Sequence, residues 1–195
     1  MYIRLNMSTK LALLGILCDA KKPMYGYEIK KLMKEWNIAE YAKISYGSIY
    51  YNLERMEKDG LVKGKTVRNG KQPERRLYSV TEKGEAELMK LLRKNYSEIE
   101  RSYYPFDIGV SLMWLLPKDE VIKALEKRIQ IEEECIEMLH KEKAELQSKI
   151  PFFSLSIFDH YLYHFEAEKK WLKELKKEVK KRKSYFEDFK PEEKA

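Results

Sequence analysis

Ser45-Tyr46-Gly47-Ser48-Ile49-Tyr50-Tyr51-Asn52-Leu53-Glu54-Arg55-Met56-Glu57-Lys58-Asp59-Gly60-Leu61-Val62-Lys63-Gly64-Lys65-Thr66-Val67 is the stretch on which the reading of this chain turns. Two periodicities meet in it. Ile49, Leu53 and Met56 fall on one stripe of a helix that Ser45 can cap. Asp59-Gly60 stops that helix, because glycine accepts the left-handed backbone of a C-terminal cap. From Leu61 to Val67 the pattern becomes that of a strand, and Arg76-Leu77-Tyr78-Ser79-Val80 reads as its partner. Asn69-Gly70 between them is a tight-turn signal, so the pair forms a hairpin.

Upstream, Leu11 to Cys18 reads as a first helix, with Ser8 or Thr9 as its cap. Pro23 and Gly26 punctuate the chain before a second helix over Tyr25 to Trp36, where Ile29, Leu32 and Met33 share one face. Downstream, Thr81 caps a long helix through Leu88, Leu91 and Leu92 to about Ser102. Three helices followed by a two-stranded hairpin is the order of a winged helix-turn-helix.

Pro105 marks a boundary, dividing the chain into residues 1–104 and 105–195. Beyond it comes a short apolar helix, Phe106 to Leu116, ended by Pro117, and then two long helices separated by Pro151. Ile122, Leu125, Ile129, Ile136, Leu139, Leu146 and Ile150 hold one heptad register, interrupted by Glu132 and Lys143. Phe158, Tyr161, Phe165, Leu172, Leu175, Val179 and Phe186 hold another. A lone pair of such helices leaves apolar surface in water, and a homodimer is the simplest resolution. The fold class expected is mainly α with a small β-hairpin: an N-terminal winged helix-turn-helix and a C-terminal helical dimerisation domain.

Charge separates the two halves. The chain of 195 residues carries a formal net charge of +7. Residues 1–84 hold 17 Lys+Arg against 9 Asp+Glu, a net +8, and the remainder holds 22 against 23, a net −1. A basic excess confined to the first half is expected if only that half meets a polyanion. On the third helix Tyr46, Ser48, Tyr51, Asn52 and Arg55 are expected to face outward. Asparagine can bond adenine's edge, arginine can fork onto guanine, and Ser45, Ser48 and tyrosine hydroxyls can reach phosphates. A polar helix face is by itself ordinary. The hairpin tips the balance: residues 60–83 hold seven basic and two acidic residues. Arg68 and Lys71 sit at the turn, where a wing meets phosphate or the minor groove, and Arg75 follows. The alternative reading is a winged-helix protein-interaction adaptor, which has no need of that charge.

The runs Leu13-Leu14-Gly15-Ile16-Leu17, Pro23-Met24-Tyr25-Gly26-Tyr27-Glu28-Ile29, Ser45 to Tyr50, Leu53 to Val62 and Arg75 to Gly84 resemble a PadR-type regulator, in order and at that family's spacing. The chain departs from the family at Tyr46 and Tyr51, where proline is frequent. Its C-terminal half is similar to the longer members, whose second domain is three helices, most of all over Phe165-Glu166-Ala167-Glu168 to Trp171-Leu172. The resemblance implies a dimeric repressor that occupies a near-palindromic operator in double-stranded DNA and leaves it on binding a small molecule, often aromatic. Tyr104, Phe106, Trp114 and Phe153 are the candidates to line an effector pocket, although aromatics at helix junctions are more often core or interface.

Other chemistries are disfavoured. Nucleophile elbow, phosphate loop and dinucleotide fingerprint are all missing, so an enzyme is not expected. Cys18 and Cys135 lie far apart in helical patterns and read as free thiols. His160, His164 and Glu168 fall at i, i+4 and i+8, where two histidines can chelate a cation, but a third strong ligand is not assured, so no metal or cofactor is expected. With no apolar run of membrane-spanning length and no signal-peptide pattern, the expected location is the cytoplasm.

Overall fold

The computed structural model describes residues 7–38, 44, 46–68, 74–99 and 102–187, with Tyr46 described in its backbone alone. The chain divides into two compact units, Met1–Ser102 and Tyr103–Ala195.

In the first unit α1 (Met7–Ala20) is the central element, with Leu13, Leu14, Ile16 and Leu17 almost wholly buried. Burial at four of five successive positions needs neighbours on more than one side of the helix. It begins at Met7 rather than Leu11, so Ser8 and Thr9 lie inside it instead of capping it. Met24–Tyr25 form a short strand, β1, which the sequence reading did not anticipate. There follows α2 (Gly26–Glu35), whose first turn closes when the Tyr25 backbone N–H donates to Glu28 Oε2 at 2.7 Å. A 3-10 turn over Tyr46–Ser48 leads into α3 (Ile49–Lys58). The expected apolar stripe of α3, Ile49, Leu53 and Met56, is fully buried. Gly60 then adopts φ +72°, the left-handed conformation that its C-cap position calls for.

Strands β2 (Val62–Val67) and β3 (Arg75–Val80) pair antiparallel from Val62↔Val80 to Val67↔Arg75. β1 adds to the other edge of β3, with Met24 opposite Tyr78, giving the order β1-β3-β2. The expected Asn69-Gly70 turn lies outside the described residues. Helix α4 (Glu82–Ser97) starts where expected, with Thr81 Oγ1 accepting from the Gly84 N–H at 3.1 Å, and ends short of Ser102.

The end of α3, the start of the hairpin and the start of α4 are joined at one point. The Thr81 N–H donates to the Leu61 carbonyl at 3.1 Å, and the Thr81 hydroxyl lies 2.8 Å from the Gly60 carbonyl and 3.0 Å from that of Leu61. Lys83 Nζ donates to the Asp59 carbonyl at 2.7 Å. Gly84 makes this approach possible, since a Cβ there would stand 2.0 Å from the Leu61 oxygen.

The second unit contains α5 (Phe106–Ser111), a 3-10 turn at Met113–Leu115, α6 (Lys118–Leu146) and α7 (Phe152–Lys181). The single helix expected over Phe106 to Leu116 is thus broken at Leu112. Val121, Leu125 and Ile129 of α6 pack with Leu172 and Val179 of α7. Ion pairs lace the exposed flanks, among them Lys173 to Glu133 at 2.6 Å, Arg128 to Glu168 at 3.3 Å, and Lys143 to Asp159. Glu132 interrupts the apolar register as expected, but inside the seam: it is 8% exposed, and its Oε2 has no hydrogen-bond partner among the described residues. Burial, then the neighbouring Glu168, raises its carboxyl pKa, against the pull of Arg128.

Two outcomes follow from this packing. Gly84→Ala should lower unfolding stability by about 1–3 kcal/mol, the usual range for overpacking, measured by denaturant titration. Because the folded pKa of Glu132 is raised, its contribution is most favourable at low pH and is lost as pH rises through the folded value. Glu132→Gln should therefore gain thermal stability over the parent at neutral pH, and that gain should shrink as pH falls through the raised folded pKa and be gone by about 4.3, the ordinary glutamate value.

Candidate nucleic-acid interface

A helix turns through about 100° per residue, and that step sorts the residues of α3. Opposite the buried stripe lie Tyr51, which is 57% exposed, and the exposed Tyr50, Glu54 and Lys58. Arg55 is half-buried at the edge of this surface. Asn52 differs from the expectation of an outward side chain. It is 7% exposed, and its amide Nδ2 donates to Ser48 Oγ at 3.2 Å. The reason is angular: position 52 lies three residues from Ile49 and four from Met56, inside the arc that faces the core.

Beside α3 runs an aromatic and basic cleft of about 450 Å³, lined by Tyr27 of α2, Tyr50 of α3 and Glu74, Arg75 and Arg76 at β3. Its floor depends on Gly26, where a Cβ would stand 2.5 Å from Tyr50 Cε1. The Tyr25 and Tyr27 rings stack with centroids 5.5 Å apart, and the Arg75 guanidinium lies 5.8 Å from the centre of the Tyr27 ring. An arginine held over an exposed aromatic face keeps its charge and its donors while losing freedom of movement. Tyr25, Tyr27, Tyr50 and Arg76 were not among the residues singled out from the sequence. The Tyr25-Gly26-Tyr27 triplet was the signal available, but nothing in a linear pattern says that it meets β3.

Glu57 ties α3 to the hairpin. Its carboxylate accepts from the Gly64 N–H at 3.0 Å and from Arg76 Nη2 at 2.5 Å. The Arg76 hydrogen bond, helped by that of Gly64, holds the Glu57 pKa below its ordinary value against the opposing effect of burial. The pair closes over Gly64, where a Cβ would stand 2.5 Å from Arg76 Nε and 2.7 Å from Glu57 Oε1. Of the other sequence candidates, Arg68 and Arg75 are exposed at the ends of β2 and β3. Ser45 and Lys71 lie outside the described residues, as does the side chain of Tyr46.

Three of the four effector candidates each have an aromatic partner outside the set. Phe106 stacks edge-on against Trp171 with centroids 6.0 Å apart, under the guanidinium of Arg128 at 4.0 Å. Trp114 meets Phe186, Phe153 meets Phe152, and Tyr104 is exposed. A cavity of about 160 Å³ in the second unit is lined by other residues, including Met113, Leu175, Val179 and Tyr185. Among the described residues no group of three or more His, Cys, Asp or Glu side chains is placed to hold a metal. Nor is any described helix long and apolar enough to cross a membrane.

Residues 13–90, which run from the middle of α1 through α2, α3 and the hairpin to the start of α4, match the transcriptional regulator PadR-like family. Over that stretch the chain is similar to members of the family. It is 24% identical over 155 residues to the negative transcriptional regulator PadR of Bacillus subtilis (strain 168), spanning 78% of this chain and 84% of that protein. The smu.1604c structure from Streptococcus mutans UA159 is 26% identical with a TM-score of 0.59, over 85% of this chain and 96% of that one. Bacillus subtilis PadR in complex with operator DNA superposes with a TM-score of 0.70 at 19% identity, covering 92% of this chain and 99% of the other. The same protein in complex with p-coumaric acid gives a TM-score of 0.73 at 18% identity, covering 89% and 99%. The fold is therefore that of these regulators over both units: a winged helix-turn-helix followed by long C-terminal helices. The family is one of transcription regulators, not enzymes.

Glu57→Gln should loosen the hairpin from α3, read as faster hydrogen exchange at the Gly64 amide. Because the Glu57 pKa is lowered, its contribution is present above the unfolded-state pKa and is lost as pH falls through the folded one. The difference in exchange between parent and Glu57→Gln should accordingly vanish on the acid side of the carboxylate range.

Proposed function

We propose that this chain is a cytoplasmic homodimer that binds a near-palindromic operator in double-stranded DNA and represses transcription until a small, aromatic effector releases it. The observation that carries this reading is the surface of the first unit, where Tyr50 of α3 lines one cleft with Tyr27, Arg75 and Arg76, and Tyr51 stands exposed on the same helix. In the proposed complex α3 enters the major groove. Tyr51 and Arg55 reach base edges and adjacent phosphates, while Ser45, Tyr46, Ser48, Arg68, Lys71 and Arg75 hold the backbone. Asn52 acts from within, by fixing Ser48 at the helix start.

Two copies of α3 must stand about 34 Å apart to enter successive major grooves of one face. The long helices α6 and α7 are the elements able to set that spacing. Exposed apolar side chains on them, including Ile131, Met138 and Tyr163, give a second copy something to cover. A ligand that favours another arrangement of these helices changes operator affinity by a coupling of about 1–3 kcal/mol. The relatives support repression, operator binding and an aromatic effector: the curated one is a negative regulator, and its solved forms hold operator DNA or p-coumaric acid.

Mobility shift against a fragment library at two salt concentrations tests it, with Arg55→Ala and Arg75→Ala beside the parent. One preferred near-palindromic fragment is expected, bound more weakly at high salt. Arg55→Ala should cost about 1–3 kcal/mol and relax the sequence preference, while Arg75→Ala should weaken all fragments alike. Weak binding to every fragment, indifferent to both substitutions, would replace this reading with the adaptor.

A further inference from the structure

The exposed side of α7 carries a feature that DNA binding does not use. Phe153, Ile157, His160 and His164 are spaced four, three and four residues apart, so they form one stripe along the helix. The stripe is exposed, with Phe153 at 64% and Ile157 at 39%, and it lies opposite the buried Leu162. In its middle the two imidazoles converge edge to face, with ring centroids 4.6 Å apart and Nε2 to Nε2 at 3.0 Å. Two nitrogen lone pairs cannot face each other at that distance unaided. Either a proton or a cation must lie between them.

We propose that His160 and His164 form a two-histidine site for a divalent first-row transition metal, with both Nε2 atoms as ligands and water in the remaining positions. The ligand type selects the class of ion, since imidazole pairs favour the late first-row metals, copper(II) above nickel(II). With metal–nitrogen bonds of about 2.0–2.1 Å, ligands at a right angle stand about 2.9 Å apart and tetrahedral ligands about 3.3 Å. The observed 3.0 Å falls within this range, so the two Nε2 atoms can share one ion with little movement. Glu168, one further turn along, does not complete the set, because its carboxylate is engaged by Arg128 at 3.3 Å. The site is therefore open to solvent, and a bound ion clamps one turn of α7 on its uncovered stripe.

Calorimetric titration of the tag-free full-length chain with Cu2+, Ni2+ and Mg2+ tests this. One Cu2+ or Ni2+ is expected per chain, copper the tighter, with no Mg2+ uptake. Either His160→Ala or His164→Ala should weaken binding by about tenfold or more, since each removes one of only two protein ligands. His140→Ala, on α6, should leave it unchanged. Both sites are exposed, so helical circular dichroism of the variants should match the parent, and His160→Asn and His164→Gln repeat the test with polar side chains of similar size. Copper or nickel binding that survives the His160 and His164 substitutions, uptake of Mg2+ equal to that of Cu2+, or no binding at all would overturn the proposal.

Discussion

The Leu61 carbonyl is where the first unit is held together. It accepts from the Thr81 backbone, lies within reach of the Thr81 hydroxyl, and stands against the α-carbon of Gly84. Each contact joins segments about twenty residues apart in sequence, and so fixes where the hairpin leaves α3 and where α4 begins. A buried backbone carbonyl at such a crossing needs partners, and the side chain that supplies one also caps α4. Once this crossing is made, Glu57 can reach the Gly64 amide and Arg76, and the wing leaves α3 in one direction rather than many.

That fixed direction gives the surface its chemical character. The positive charge of residues 60–83 would mean little if spread around a mobile ribbon. Held by Glu57 on one side and by the β1–β3 pairing on the other, the start of β3 brings Arg75 over Tyr27 beside α3. One acidic residue therefore serves a basic surface. Glu57 neutralises Arg76 locally, and in doing so orients the strand that carries Arg75. The second unit follows a different logic. Its long helices are held by a narrow apolar seam and by exposed ion pairs, each worth little alone. They also contain a buried acid, Glu132, that costs stability in the folded chain.

Much of this was legible in the sequence because the signals were local. The helical stripe of Ile49, Leu53 and Met56, the Gly60 stop, the change to strand period and the Thr81 cap all act within a few residues, and all stand where expected. The misreadings have one physical origin. Ser8 and Thr9 looked like caps because their side chains suit that role, but α1 extends past them to Met7, with Thr9 itself buried. Asn52 looked like a reader of DNA because it is polar, yet its angle on the helix turns it to Ser48 and the core. β1 was invisible because two residues carry no period.

By itself, then, the sequence determined the order of the main elements, the separation of a basic half from a balanced one, and the resemblance to PadR-type regulators. These depend on propensity, periodicity and charge, which each residue carries wherever the chain goes. Only the tertiary structure decided which polar residues share a surface. Tyr27, Tyr50 and Arg75 meet through the packing of α2, α3 and β3, and Glu57 reaches Arg76 across nineteen positions. The effector candidates Phe106 and Trp114 likewise find partners, Trp171 and Phe186, more than sixty positions away. In the first unit such meetings depend on the crossing at Leu61 and on close approaches that only glycine permits, and neither is a property of any residue read alone.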